Sequence, residues 1–309
     1  MTSLLQVREL TKTYPSKENF LAVDHISFDL KKGEILGFLG PNGSGKTTTI
    51  QMLLGTLLKT SGSIHYFGKD FSLHREEILQ SIAFASTYLS LPYILTVQEN
   101  LEVLGLLYGL SRKESRKRFE PLLERFNILS YLNQRVSALS AGQLTRLMMA
   151  KAFFIEPKIV LLDEPTASLD PDISQDICSF LLEQRDKTGL SILFTSHKME
   201  EVAEVCDRVI FLDRGKIIAD DLPENLAKKS SCFRLKLIIV DHLEKTIALA
   251  TKKHLNYTSD HRSIEIELEE QDIPDFLHTL SLEGIVYTGI HIQEPSLDDY
   301  FLKIARGTR

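Results

Sequence analysis

The residues best suited to chemistry form one short stretch, Gly40-Pro41-Asn42-Gly43-Ser44-Gly45-Lys46-Thr47. Glycine has no Cβ, so successive backbone N–H groups in such a loop turn toward a single anion, and a helix opening at Lys46 adds the positive end of its dipole. The Lys46 ammonium then suits the β- and γ-phosphates of a nucleoside triphosphate, and the Thr47 hydroxyl suits Mg²⁺. Thr48, in the same helix start, joins Pro41, Asn42 and Ser44 among the nucleotide-binding candidates. A plain glycine turn is the competing reading, and the flanks weigh against it. EILGFLG upstream is a nearly unbroken apolar run, the mark of a buried strand, and KTTTIQMLLGTLL downstream has a helical pattern.

A second set of candidates lies at the ends of two other apolar runs. KIVLLDEP places Asp163 at the carboxyl end of a buried strand, where its carboxylate reaches the water shell of a metal ion, and Glu164 next to it is placed to polarise an attacking water as general base. Taken alone, LLDEP reads equally well as a strand and an acidic turn; the phosphate loop upstream removes that balance. LSILFTSH ends another such strand at His197. In open parallel sheets, ligands gather at these carboxyl ends.

Leu139-Ser140-Ala141-Gly142-Gln143 is a serine cap with small residues opening a helix, a further terminus that attracts anions. With this motif 24 residues before Glu164, the chain resembles the ATP-binding-cassette (ABC) ATPases over roughly residues 4–225. The resemblance implies that Ser140 and Gly142, with Gln143 in the same motif, contact the γ-phosphate bound to the opposite subunit, so that two ATP molecules are sandwiched in a head-to-tail dimer. Ala141 stands where the family has a glycine. Ala167-Ser168-Leu169-Asp170 resembles the loop that communicates across that dimer, which places Asp170 near nucleotide. His197, 33 residues after Glu164, resembles the switch histidine that contacts the γ-phosphate. Tyr14, in LTKTYP, resembles the aromatic that stacks on adenine.

One position departs from the family. Ile82–Thr87 reads IAFAST, with Thr87 where the family usually has a glutamine that touches the metal and lies at the surface receiving the membrane subunit. Metal contact and coupling are therefore expected to differ there. Glu294–Leu302, EPSLDDYFL, resembles the ending of daunorubicin-resistance-type and multidrug-resistance-type export ATPases, and this implies export.

Elements to position these residues are readable along the chain. Alternation from Leu4 to about Lys32 predicts antiparallel strands turning at Gly33, residues 95–135 are helical in pattern, and RVIFLDRGKI predicts a third buried strand ending near Gly215. LPENLAKKSS predicts a helix running into a polar linker near Ser230. The expected fold class is α/β: a P-loop NTPase core with an antiparallel β edge and a helical subdomain over about 88–140, together forming an ATPase domain over 1–229. Residues 230–309 are expected to form a small accessory α/β domain from FRLKLIIV, RSIEIELEE, GIVYTGIHIQ and the helical IPDFLHTLSL.

Composition bounds the function classes. A length of 309 residues fits about two domains, and 43% apolar with 25% charged residues is ordinary globular composition. A net charge of -6 without a basic stripe speaks against nucleic acid as a partner. Cys178, Cys206 and Cys232 match neither zinc nor disulfide spacing, which suits a reducing cytosol. The amino terminus lacks a secretory pattern. The longest apolar run, VLGLLYGL, falls well short of the roughly 20 residues that span a bilayer. The expectation is a cytoplasmic protein, peripheral on the inner face of the cell membrane, that uses ATP and Mg²⁺. Its expected partners are transmembrane permease subunits and a second nucleotide-binding subunit, identical or paralogous. Two alternatives stay open: a soluble ABC ATPase with no membrane partner, and a weakly hydrolysing nucleotide-dependent regulator, which Thr87 keeps in play.

Overall fold

The computed structural model describes residues 2–15, 20–86, 91–167, 169–229 and 233–307; Thr87, Ser168 and Cys232 lie outside the described residues. Chain order is β1 (Ser3–Tyr14), β2 (Phe20–Lys31), β3 (Ile35–Leu39), α1 (Lys46–Leu53), β4 (Ser61–Tyr66), β5 (Lys69–Asp70), α2 (Arg75–Leu79) and β6 (Ile82–Ser86). Then come α3 (Val97–Leu107), α4 (Arg112–Arg125), α5 (Ala141–Phe153), β7 (Ile159–Asp163), α6 (Pro171–Thr188), β8 (Ser191–Thr195), α7 (Met199–Val205), β9 (Arg208–Asp213) and β10 (Lys216–Asp221). The chain closes with α8 (Pro223–Lys228), β11 (Phe233–Ile239), α9 (Leu243–Lys252), β12 (Tyr257–Asp260), β13 (Ser263–Leu268), α10 (Ile273–Leu282), β14 (Tyr287–Gln293) and α11 (Leu297–Gly307).

It divides into two compact units, Met1–Leu222 and Pro223–Arg309. In the first, a sheet of order β10-β9-β3-β8-β7-β6 is parallel from β9 to β6, with β10 antiparallel at one edge. Every residue of β3, β7 and β8 is buried, which is why these strands read as continuous apolar runs rather than alternating ones. Parallel pairing has a functional consequence. It brings the carboxyl ends of β3, β8 and β7 to one edge, with Asp163 opposite Thr195 in the register.

A second sheet, β2-β1-β4-β5, is antiparallel and shares a core with the first: Leu5, Val7 and Phe28 belong to the same apolar cluster as Phe38, Leu161 and Leu193. The helices α3, α4 and α5 open on capping boxes from Thr96 with Glu99, Ser111 with Glu114, and Ser140 with Gln143. α3 and α4 fall in the span expected to be helical, together with short 3-10 turns at Leu129–Tyr131 and Val136–Ala138.

Two boundaries differ from the sequence pattern. The helix after the phosphate loop stops at Leu53 instead of running through LLGTLL, because Gly55 turns at φ 68° and the amides of Thr56 and Leu57 fold back onto the Gln51 carbonyl. RVIFLDRGKI is not one strand: Arg214 at φ 45° and Gly215 at φ 80° turn the chain, and β10 returns along β9.

In the second unit, β11-α9-β12-β13-α10-β14 folds into a sheet of order β12-β13-β11-β14, antiparallel throughout, the arrangement of the split βαβ fold. Leu235, Leu237, Ile264, Ile266, Phe276 and Leu280 form its core. The unit begins at Pro223, whereas the polar run after Lys228 points to a boundary at 229/230. Pro223 and Leu226 are buried and α8 packs on α11, so this helix belongs with the second unit. The tail motif has a local structural role: Ser296 and Asp299 cap each other at the start of α11, and the Asp299 carboxylate pairs with Arg234 on β11.

Candidate active site

The phosphate loop leaves buried β3 and enters α1, and its glycines are needed for different reasons. At Gly40, φ is 146° and a Cβ would meet the Leu212 carbonyl oxygen at 2.2 Å; at Gly45, φ is 105° and a Cβ would meet that of Ala22 at 2.6 Å. Neighbouring strands thus press on the loop from two sides. The turn at Gly215 braces it, donating from its amide to the Ser44 carbonyl at 3.0 Å. Gly43, at φ 81°, has no neighbour within 4 Å of a would-be Cβ, so that part of the loop is open. Lys46 is 7% exposed and its amine donates to the carbonyls of Gly40 and Pro41 at 2.6 and 3.2 Å. Burial lowers its pKa from the ordinary lysine value, and the carboxylates of Glu164 and Asp163 partly oppose that shift. Ser44 Oγ is buried without a hydrogen-bond partner, Thr47 and Asn42 are exposed, and Thr48 is half-buried.

At the same sheet edge, Asp163 is buried and its Oδ1 accepts from Thr195 Oγ1 at 2.8 Å. The same hydroxyl accepts from the Glu164 amide at 3.0 Å, and the Thr195 carbonyl accepts from that amide at 3.2 Å. Glu164 itself sits at φ 53°, in the left-handed region that a non-glycine residue occupies only when its surroundings hold it there. That turn carries its carboxylate to His197, with Oε1 and Nε2 2.5 Å apart. The two residues from separate strands therefore meet directly. The Glu164 side chain is mostly covered and that of His197 about half exposed.

The remaining candidates lie on other elements. Ser140 is exposed at the start of α5, where its Oγ accepts from the Gln143 amide at 3.3 Å and its own amide donates to Gln143 Oε1 at 2.9 Å. A Cβ on Gly142 would make only an ordinary contact, 3.7 Å from Leu169 Cδ2, so the fold does not itself demand glycine at this position. Asp170 is exposed at the N-cap of α6, with Pro171 after it. Tyr14 ends β1 opposite Phe20, 36% exposed, with Lys12 Nζ 5.0 Å from its ring centre. Thr195 escapes sequence reading because a threonine at a strand end matches no motif; only its register partner Asp163 reveals it. Thr166, Ser196 and Glu201, also buried beside these loops, escape it for the same reason.

The donor set fits a triphosphate with a hard cation. An unpartnered Ser44 hydroxyl, a buried ammonium resting on carbonyls and an open glycine loop suit phosphate oxygens, while Thr47 and Asp163 offer one hydroxyl and one carboxylate. Such a sparse protein contribution is the pattern for Mg²⁺ held together with substrate phosphates.

A family profile described as ABC transporter matches residues 23–167. The chain is 30% identical over 313 residues to the linearmycin resistance ATP-binding protein LnrL of Bacillus subtilis (strain 168), covering 99% of each chain. It is 30% identical over 312 residues to the bacitracin transport ATP-binding protein BcrA of Bacillus licheniformis, again 99% of each. Among solved structures, an ATP-binding subunit of an ABC transporter matches with a TM-score of 0.68 at 28% identity, over 74% of this chain and 93% of that one. A dimeric ATP-binding cassette in a post-hydrolysis state bound to ADP and Pi matches with a TM-score of 0.66 at 26% identity, over 71% and 98%.

Proposed function

The chain belongs to the ATP-binding, ATP-hydrolysing subunits of ABC transporters, and from that premise we propose that it drives export through a separate transmembrane permease as half of a head-to-tail ATP-sandwich dimer. The observation that carries the reading is the direct contact of Glu164 with His197 at the sheet edge where the phosphate loop opens. Glu164 is the general base that polarises the attacking water. His197 holds the γ-phosphate once its imidazole leaves the carboxylate. Lys46 turns from the Gly40 and Pro41 carbonyls to the β- and γ-phosphates, and the loop amides from Gly40 to Thr48 surround the phosphate chain.

Thr47 and Asp163 would hold Mg²⁺, which when bound neutralises charge on the phosphate oxygens. Tyr14 stacks on adenine. Ser140, Gly142, Gln143 and Asp170 serve the nucleotide held by the second subunit, for which the freedom around Gly142 leaves room. Export is supported by the names of the full-length relatives, linearmycin resistance for one and bacitracin transport for the other. No helix among the described residues is long and apolar enough to cross a membrane, in keeping with a pore supplied by another chain at the cytoplasmic face.

The dimer is tested with Glu164→Gln, which keeps the site's shape and slows breakdown of the bound ATP. With ATP and Mg²⁺ its solution mass should double from that of the 35.1 kDa chain, and return on removing nucleotide. A mass that stays monomeric at saturating ATP contradicts a sandwich of two identical subunits.

A further inference from the structure

The loops that carry Glu164 and His197 are also joined through a buried carboxylate with no part in the roles assigned above. Glu201, in the first turn of α7, accepts from Thr166 Oγ1 at 2.5 Å and from Ser196 Oγ at 3.2 Å through Oε2, and its Oε1 lies 2.9 Å from Lys198 Nζ. Lys198 reaches further, to the Thr166 carbonyl at 3.4 Å and to Ser174 Oγ on α6 at 3.1 Å. Its amide donates to Ser196 Oγ at 3.0 Å. Thr166 lies two positions after Glu164, and Ser196 and Lys198 flank His197 on either side.

We propose that Glu201 is a positioning residue for hydrolysis. Acting through Thr166 and Ser196, it holds the turn after β7 and the turn after β8 at the spacing that brings Glu164 and His197 together. Two physical points support this. Burying a carboxylate is costly unless its oxygens are satisfied, and here both oxygens are engaged, by groups drawn from the two turns in question. Glu164 also occupies a strained φ of 53°, which persists only while the residues around it are pinned. Thr195 pins the strand side of that turn, and Thr166, held by Glu201, pins the other. Displacing a reacting group by about 1 Å can cost up to roughly 10²-fold in rate, so the link is expected to show in turnover rather than in nucleotide binding.

The inference rests on Glu164 being the base, and a double-mutant cycle separates the two. Thr166→Val removes the hydroxyl at nearly constant volume. It should lower kcat roughly tenfold with KM for ATP changed less than about twofold, and Thr166→Ser should restore the rate to within about threefold. In a Glu164→Gln background the same Thr166→Val change should cost less than about twofold, because the group it positions is no longer there. Glu201→Gln, which keeps an acceptor for Thr166 but loses the charge facing Lys198, should fall between wild type and Thr166→Val. A raised KM with kcat unchanged, or an equal loss in both backgrounds, overturns the positioning role. Wild-type turnover in Thr166→Val beside a crippled Glu164→Gln overturns this inference alone. Near-wild-type turnover in Glu164→Gln overturns the base assignment and this inference with it.

Discussion

Lys46 buries an ammonium against two carbonyls in a loop built to receive phosphate, and that arrangement favours ligand binding over stability. Burial lowers its pKa, so the unfolded chain binds the proton more tightly than the folded one. Between the lowered folded value and the ordinary 10.5, the unfolded state carries more protons and stability rises with pH. Below that window both states are protonated and the full cost of burying the charge is present. Lys46→Met should therefore weaken ATP binding while leaving the melting temperature of the nucleotide-free protein equal to or above that of wild type. The wild type should gain on the variant as pH climbs through that window, which thermal melts at several pH values would show. A variant that loses stability at neutral pH and binds ATP normally contradicts this reading of the loop. At this scale the sequence goes far: the phosphate-loop pattern singles out Lys46, that loop upstream gives Asp163 and Glu164 their weight, and the family resemblance adds His197. It could not disclose Thr195 or Glu201, whose importance comes from register and from the partners that burial leaves them.

The elements explain how three separated motifs come to one sheet edge. Parallel pairing aligns the ends of β3, β8 and β7, and β3 and β7 run into turns at positive φ, at Gly40 and Glu164. Gly40 is the severest case. An alanine there would combine φ 146° with a Cβ 2.2 Å from the Leu212 carbonyl oxygen, whereas at Gly43 it meets only an unfavourable φ in open space. Urea unfolding should show Gly40→Ala destabilised by about 3 kcal/mol or more and Gly43→Ala by about 1 kcal/mol. Equal losses would mean that β9 does not press on the loop as described. Continuous apolar runs announce β3, β7, β8 and β9, helical patterning announces α3 and α4, and the Ser140 cap announces α5. What escapes is β10, an edge strand of alternating exposure, because in the sequence a turn at Arg214 and Gly215 reads as an ending and not as a reversal. Thr87, the position where the motif pattern departs from the family, lies outside the described residues.

The whole chain is two units with separate cores, and the site residues all belong to the first. Calorimetry should resolve two transitions. ATP with Mg²⁺ at about a hundred times its Kd stabilises whatever binds it by about 2.7 kcal/mol, so only the transition of Met1–Leu222 should rise, by about 5–10 °C. A single transition that shifts as one would show that the second unit does not unfold on its own. The split βαβ order of that unit was not readable from its alternating strands, since alternation reveals a half-buried strand but not its neighbour. The central claim, that Glu164 performs the chemistry this architecture assembles, meets its most direct test in the steady-state ATP turnover of Glu164→Gln. The account predicts a loss of about 10²- to 10⁴-fold with ATP affinity unchanged; turnover near the wild-type rate would contradict it.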